Sequence, residues 1–263
     1  MDLPALTPQE ARIKRLRRFN GWMAVFHAAQ GLVMLFTSND FSLPVTSAFI
    51  KFDPLKGQLA PMLKTVLELR IGPLVAGFLL MSAFAHFCLA YVRPFRARYE
   101  SNLEKGINSA RWIEYMFSSS LMIVVIALLA GMYDGVSLLL IFFLNMMMIL
   151  FGWLMELHNQ STAKTDWTAY IFGCVAGIVP WIAIAIFLFN AGEGAYRPPT
   201  FVYWIFFSMF LFFNVFAVNM YLQYKKSGKW VDYLFGERVY VILSLVAKSL
   251  LAWQVYAATL RPV

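Results

Sequence analysis

A lysine at position 248 lies in the middle of an apolar segment, residues 237–260, that is long enough to cross a membrane. A charged side chain at mid-depth costs about 2.5–3.5 kcal/mol on insertion scales, so it needs a counter-charge or a covalent use. An amine deprived of water gives up its proton more easily and can then form a Schiff base with an aldehyde. Snorkelling to the headgroups is the alternative, but Lys248 is about ten residues, roughly 15 Å of helix, from either end. Ser244 precedes it by one turn.

A glutamate at position 114 is the only acid well inside another apolar segment that could neutralise Lys248. It lies in RWIEYMFSSSLMIVV, where Ser118 follows at i+4 on the same helical face and Tyr115 and Ser119 flank that face. The alternative is a carboxylate at the membrane boundary, in the headgroup layer. The shared face favours a counter-ion for Lys248.

Two histidines, His27 and His86, fall at similar depth in their segments, with Gln30 and Ser82 nearby. A lone membrane histidine is usually a hydrogen-bonding group between helices. The pair together indicates a small hydrated cavity that could receive a proton. The histidines lack metal-ligand spacing with each other, so we expect no metal site.

The elements that must position these residues are membrane helices. The 263 residues are 60% hydrophobic and 14% charged, with a mean hydropathy of +0.65. This composition predicts an all-α polytopic membrane protein. After a basic segment at 1–18, one domain at 19–260 contains seven predicted spans, at about 19–37, 67–92, 110–132, 137–157, 168–190, 200–223 and 238–260. The connection at 38–66 combines an alternating run, SLPVTSAFIKF, with a turn signal, DPLKG, which predicts a short strand pair.

The basic residues set the expected orientation. Of the 22 lysines and arginines, 15 fall on the side of the N-terminus and 6 on the other, with Lys248 remaining. The positive-inside rule therefore predicts a cytoplasmic N-terminus and an extracellular C-terminus in the cell membrane. The net charge of +8 is explained by this topology, so we expect no nucleic-acid partner.

The half of the bundle nearer the C-terminus is expected to be apolar. The third span continues LMIVVIALLAG beyond Glu114 with no second acid, and the fifth and sixth spans supply aromatic residues and Asn214 without a charge. An ion path needs relay groups on both sides of the centre, so this pattern argues against a pump. The aromatic residues are by default core packing, although their density suits a flat, long, apolar ligand. No phosphate loop, metalloprotease helix or nucleophile elbow is present, and we expect no enzyme.

The motifs SLVAKSLLAWQV and RWIEYMFSSSLMI, together with FVYWIFFSMFLFFN and the predicted orientation, resemble the heliorhodopsin family over essentially the whole chain. The resemblance implies an inverted seven-helix photoreceptor that binds all-trans retinal as a protonated Schiff base on Lys248, with Glu114 as counter-ion and Ser244 beside the linkage. The residues that it implies along the chromophore are Ser119, Tyr115, Met122, Met148, Trp181, Phe206 and Trp253. Those that it implies for the polar network are His27, His86, Gln30, Ser82, Tyr115, Asn145 and Glu156.

The resemblance further implies a homodimer with the first outer loop at the contact. The interpretation that we favour from the sequence is a light sensor in which retinal isomerises to 13-cis and the proton stays in this polar network on the cytoplasmic side, with a signalling partner still unidentified. Three rivals stay open: a light-driven or light-gated ion transporter, a regulator of a cytoplasmic enzyme through loops such as KKSGKW, and a seven-helix protein without chromophore.

Overall fold

The computed structural model describes residues 7–55, 57–192 and 197–261. The first six residues of the predicted basic segment, and Lys56 from the orientation count, lie outside this part of the chain. The elements in chain order are α1 (Pro8–Thr37), β1 (Ser42–Asp53), β2 (Gln58–Arg70), α2 (Ile71–Tyr91), α3 (Arg93–Glu104), α4 (Ser109–Leu129), α5 (Gly135–His158), α6 (Thr168–Asn190), α7 (Thr200–Tyr224) and α8 (Tyr233–Val255). A short 3₁₀ turn (Gly228–Val231) precedes α8, and a π-helical segment (Tyr256–Leu260) ends it.

Within the described residues, seven helices are long and apolar enough to cross a membrane, namely all except α3. The predicted seven-helix fold with a two-stranded sheet is therefore confirmed. The chain folds into a bundle in which α1 packs on α2, α5 on both α4 and α6, and α7 on α8, while α8 closes the bundle against α1. This arrangement brings α1, α2, α4 and α8, the helices of the candidate site, together.

The first helix begins at Pro8, whereas the sequence placed the start of the first span at residue 19. Thr7 caps this helix: its side chain accepts a hydrogen bond from the backbone N–H of Glu10, and the Glu10 carboxylate accepts one from the backbone N–H of Thr7. From Pro8 onward the basic segment is thus helical, and it extends the first span beyond the apolar run.

The helix α3 was not predicted, because its sequence RPFRARYESNLE is too polar for a span. Its Tyr99 and Leu103 are buried against Ile13 and Leu16 of α1. Pro94 follows Arg93 in the first turn, where a proline needs no hydrogen-bond donor. The segment is a short helix that covers the end of the bundle nearest the N-terminus.

The hairpin β1–β2 is longer than the predicted strand pair, because β2 continues to Arg70 through residues that the sequence assigned to the second span. The strands are antiparallel, with Ser42 opposite Arg70 and Asp53 opposite Gln58. The run TVLELR alternates in a way that suits a strand, and α2 begins only at Ile71. The backbone N–H of Thr46 donates to the carbonyl of Tyr133 at 2.8 Å, which fixes the hairpin to the α4–α5 turn.

Candidate functional site

Lys248 and Glu114 form a buried ion pair between α8 and α4. The Nζ atom of Lys248 donates to Glu114 Oε1 at 2.7 Å and to Ser244 Oγ at 3.0 Å. Their side chains are only 4% and 8% exposed. Ser82 Oγ of α2 lies 2.6 Å from the same carboxylate oxygen. Since an unpaired charge in this environment would be costly, each member of the pair makes the burial of the other tolerable.

A cavity of about 340 Å³ lies beside this ion pair, with Lys248 and Ser244 among its lining residues. Apolar and aromatic side chains make most of its wall. The candidates from the sequence that line it are Tyr115, Ser119, Met122, Met148, Trp181, Ser244 and Lys248. Ile149, Ile178, Phe213, Phe216 and Tyr240 extend the apolar wall. An elongated, apolar aldehyde such as retinal fits this wall, with its reactive end at the only amine among the lining residues.

The part of the cavity wall that Tyr115 and Ser119 form is held by a chain of hydrogen bonds that starts at Tyr115. The Tyr115 ring lies 5.2 Å from Lys248 Nζ, and its hydroxyl donates to the Tyr240 carbonyl at 2.9 Å. Ser119 Oγ donates to the Tyr115 carbonyl at 2.7 Å, and Asn145 Nδ2 donates to Ser119 Oγ at 2.8 Å. These bonds fix the wall on α4 through contacts with α5 and α8.

Two of the aromatic candidates lie away from the cavity. Phe206 is behind Trp181, with an edge-to-face contact at 5.6 Å between ring centroids. Trp253 is 43% exposed, and its indole N–H donates to Gln30 Oε1 at 2.9 Å. Neither side chain is among the lining residues. Gln30 is thereby turned toward Trp253 rather than toward the histidines.

The two histidines meet face to face. The His27 and His86 rings stack at 5.5 Å between centroids with an angle of 8° between their planes. His86 Nδ1 lies 2.7 Å from Asn20 Oδ1, and Asn20 Nδ2 lies 3.0 Å from the Tyr99 hydroxyl. Within the described residues, both ring nitrogens of His27 lack a hydrogen-bond partner.

These contacts make a polar file from His86 through Asn20 to Tyr99 of α3. Burial raises the pKa of the Tyr99 phenol, so this group keeps its proton. The sequence interpretation missed Asn20 and Tyr99. Asn20 precedes His27 by seven residues, two helical turns on the same face, and that spacing could have identified it.

Glu156 belongs to a second buried ionic cluster, at the end of the bundle nearest the N-terminus. Arg111 donates to Glu156 at 2.9 Å and is also paired with Glu237, while Trp112 Nε1 donates to Glu156 Oε2 at 2.6 Å. The guanidinium lies between the rings of Trp112 and Tyr240, at 4.4 and 4.0 Å. The sequence interpretation counted Arg111 only as a topology signal and missed Glu237, since charges near helix ends usually face water.

No group of three His, Cys, Asp or Glu side chains that could hold a metal ion occurs in the part of the chain that the structure describes. The chemistry that the arrangement supports is the covalent attachment of an aldehyde to Lys248 and proton movement from its nitrogen toward α1 and α2.

Comparison with known proteins gives the family. No curated protein sequence matches this chain. The fold is similar to the crystal structure of cyanorhodopsin (CyR) from the cyanobacterium Tolypothrix sp. NIES-4075, with a TM-score of 0.58 and 14% sequence identity, over 97% of this chain and 96% of that chain. At this identity, the likeness establishes the rhodopsin fold alone. The sequence model of the heliorhodopsin family matches residues 16–260. Because that match spans nearly the whole chain, the protein belongs to the heliorhodopsin family of membrane photoreceptors that carry retinal.

Proposed function

We propose that Lys248 carries all-trans retinal as a protonated Schiff base and that Glu114 is its counter-ion. The observation that carries this proposal is the buried Lys248–Glu114 pair, whose lysine lines a mainly apolar cavity. Ser244 and Ser82 support the assignment, because one lies beside the lysine nitrogen and the other beside the carboxylate.

When bound, retinal supplies the light-driven isomerisation from all-trans to 13-cis. The residues of this chain stabilise the charge on the Lys248 nitrogen and shape the cavity. Glu114 stabilises the positive charge on the Lys248 nitrogen in an environment that excludes water, where a charge pair interacts strongly. Met122, Met148 and Trp181 pack around the apolar cavity and limit the shapes that fit it.

The proton that leaves the Lys248 nitrogen is proposed to stay on the side of the N-terminus. Glu114 is the nearest acceptor, and the stacked histidines, connected to Asn20 and Tyr99, lie on that side. Since the core toward the other end is apolar in the part of the chain that the structure describes, we propose a light sensor rather than a pump. The excess of lysine and arginine supports a cytoplasmic N-terminus and an extracellular C-terminus, which protease protection of a tag on either terminus would test.

A homodimer formed through the hairpin is also proposed. One face of the β1–β2 hairpin is exposed and entirely apolar. It consists of three opposed pairs, Ala48 with Leu63, Ile50 with Pro61 and Phe52 with Leu59. Ile50 and Leu63 are 75% and 70% exposed. A contiguous apolar patch of this kind is typical of a protein contact. If Ile50→Lys/Leu63→Lys leaves the sedimentation of the detergent-solubilised protein unchanged, this contact is wrong.

The central test is the colour of the protein expressed with all-trans retinal. Wild type is expected to absorb visible light, whereas Lys248→Ala should bind no retinal as a protonated Schiff base and lose the visible band completely. Lys105→Ala, which removes an exposed lysine of the same side, serves as the control and should keep the band. A colourless wild type, or a Lys248→Ala variant that keeps the band, contradicts the proposal.

A further inference from the structure

A second cavity, of about 510 Å³, lies at the end of the bundle nearest the N-terminus, between α1 and the start of α8. We call it the basic groove. Its lining residues are Arg12, Arg15, Leu16, Arg18, Phe19 and Trp22 of α1, with Asp232, Leu234, Phe235 and Arg238 at and after the cap of α8. The site for retinal does not use any of them, and the two cavities share no lining residue.

The charge of the basic groove is strongly positive. Arg12 is paired with Asp232, which neutralises the only acid among the lining residues. Arg15, Arg18 and Arg238 have no ion pair among the described residues, and Arg238 lies over the Phe19 ring at 5.7 Å. Three guanidinium groups without a carboxylate partner therefore face one concave site. Guanidinium groups suit phosphate because they present several fixed donors.

The position of the groove indicates where the phosphate comes from. Arg15, Arg18, Phe19 and Trp22 follow the i, i+3, i+4, i+7 spacing of one helical face. Further along α1, the exposed residues Val25, Phe26 and Val33 continue an apolar surface toward the membrane centre. Trp22 is 64% exposed at the junction of the two, where an indole ring prefers the headgroup level. A ligand with an anionic head in the groove would thus have an apolar surface for its chains.

We propose that the basic groove binds the phosphate headgroup of an anionic phospholipid from the membrane leaflet on the side of the N-terminus. The unpaired arginines bind the phosphate, and the acyl chains lie along Trp22 and the exposed apolar surface of α1. With the proposed orientation this is the cytoplasmic leaflet, where anionic lipids are concentrated. The site is independent of retinal binding.

The test uses the full-length protein in detergent and native mass spectrometry, with phosphatidylglycerol and phosphatidylcholine of identical acyl chains as probes. The groove variant is Arg15→Gln/Arg18→Gln/Arg238→Gln. The matched control, Arg93→Gln/Arg98→Gln/Lys105→Gln, removes the same charge from exposed positions at the same end of the bundle. The groove variant should lose phosphatidylglycerol affinity by about tenfold or more, and the control should change little.

Three results would overturn the proposal. The groove variant and the control could lose phosphatidylglycerol affinity equally, or wild type could bind phosphatidylcholine as tightly as phosphatidylglycerol. Displacement of the lipid by an equal concentration of inorganic phosphate would instead identify a free-phosphate site. Helical circular dichroism and a monodisperse elution profile establish the fold of each variant without reference to colour. Arg15→Lys/Arg18→Lys/Arg238→Lys keeps the charge and should retain most of the affinity, which separates a charge effect from lost packing.

Discussion

At the scale of single residues, the Lys248–Glu114 pair determines what the cavity can do. The carboxylate is 2.7 Å from the lysine nitrogen and within reach of the Ser82 hydroxyl. An anion so close, in a place without water, stabilises a positive charge on that nitrogen whether or not the nitrogen carries an aldehyde. The pair is thus suited both to binding retinal and to holding its proton in the dark.

The first prediction concerns Glu114→Gln in the retinal-bound protein. The amide removes the negative charge while keeping the shape of the side chain. Because the protonated nitrogen then lacks its stabilising anion, the visible band should fade with rising pH about 1–3 pH units earlier than in wild type. A spectrophotometric pH titration in the dark measures this shift.

Glu114→Asp is the control for that titration, since it keeps the charge and changes only its distance. The aspartate variant should titrate closer to wild type than the glutamine variant does. A Glu114→Gln protein that titrates like wild type would mean that another group neutralises the Lys248 nitrogen, and the proposed counter-ion would be wrong.

The residues that could be predicted are those whose chemistry is unusual for their surroundings. Lys248, Glu114 and the two histidines stand out as charged or polar groups in apolar segments, and the structure brings Lys248 to Glu114 and His27 to His86. The sequence could not show whether Trp253 and Phe206 line the cavity, because an aromatic residue is compatible with every face of a membrane helix. Only the rotation of each helix, which tertiary packing sets, decides whether such a ring faces the cavity or the lipid.

At the scale of elements, the ends of the helices were the least predictable part. The apolar runs indicated seven spans, but a run shows neither the cap that starts α1 at Pro8 nor the strand that continues to Arg70. The short helix α3 is stabilised by tertiary contacts of Tyr99 and Leu103, which a polar local sequence does not reveal.

The Arg111 cluster ties three helices together beside the cavity. Arg111 of α4 binds Glu156 of α5 and Glu237 of α8, and Trp112 and Tyr240 belong both to this cluster and to the cavity wall. The side chains of all three charged residues are at most 5% exposed. Removing one member therefore leaves buried charge without compensation, which is more damaging than losing an exposed pair.

The second prediction is that Arg111→Met destabilises the protein by about 3–5 kcal/mol, because Glu156 and Glu237 are left buried without their cation. Thermal unfolding of the solubilised protein, followed by circular dichroism, measures the effect. Arg111→Met/Glu156→Gln/Glu237→Gln should recover most of the loss, since it also removes both anions. Lys105→Met provides the control for losing an exposed cation. Equal stability of Arg111→Met and this control would show that the cluster contributes nothing.

At the scale of the whole molecule, the buried polar groups are distributed unequally between the two ends of the bundle. Within the described residues, the buried histidines and charged side chains are His27, His86, Arg111, Glu114, Glu156, Glu237 and Lys248, at the centre or on the side of the N-terminus. Toward the other end, the core contains Leu79, Ile126, Leu251 and Val255, each at most 1% exposed. Under the proposed function, a proton released from Lys248 would meet acceptors on one side and the hydrocarbon of these core residues on the other.

The third prediction follows from this asymmetry and concerns transport. Since the buried relay groups of the described residues lie only on one side of Lys248, continuous illumination of sealed vesicles containing the retinal-bound protein should give no sustained current and no steady change in internal pH. A transient signal is expected instead, as the proton moves toward the histidines and returns.

The same vesicles with a light-driven proton pump show that a current would be detected, and a protonophore shows that the pH signal is real. A steady photocurrent that persists under illumination and disappears in Glu114→Gln would mean that protons do cross the apolar half. The sensor proposal would then give way to a transporter, while the assignment of Lys248 and Glu114 would stand.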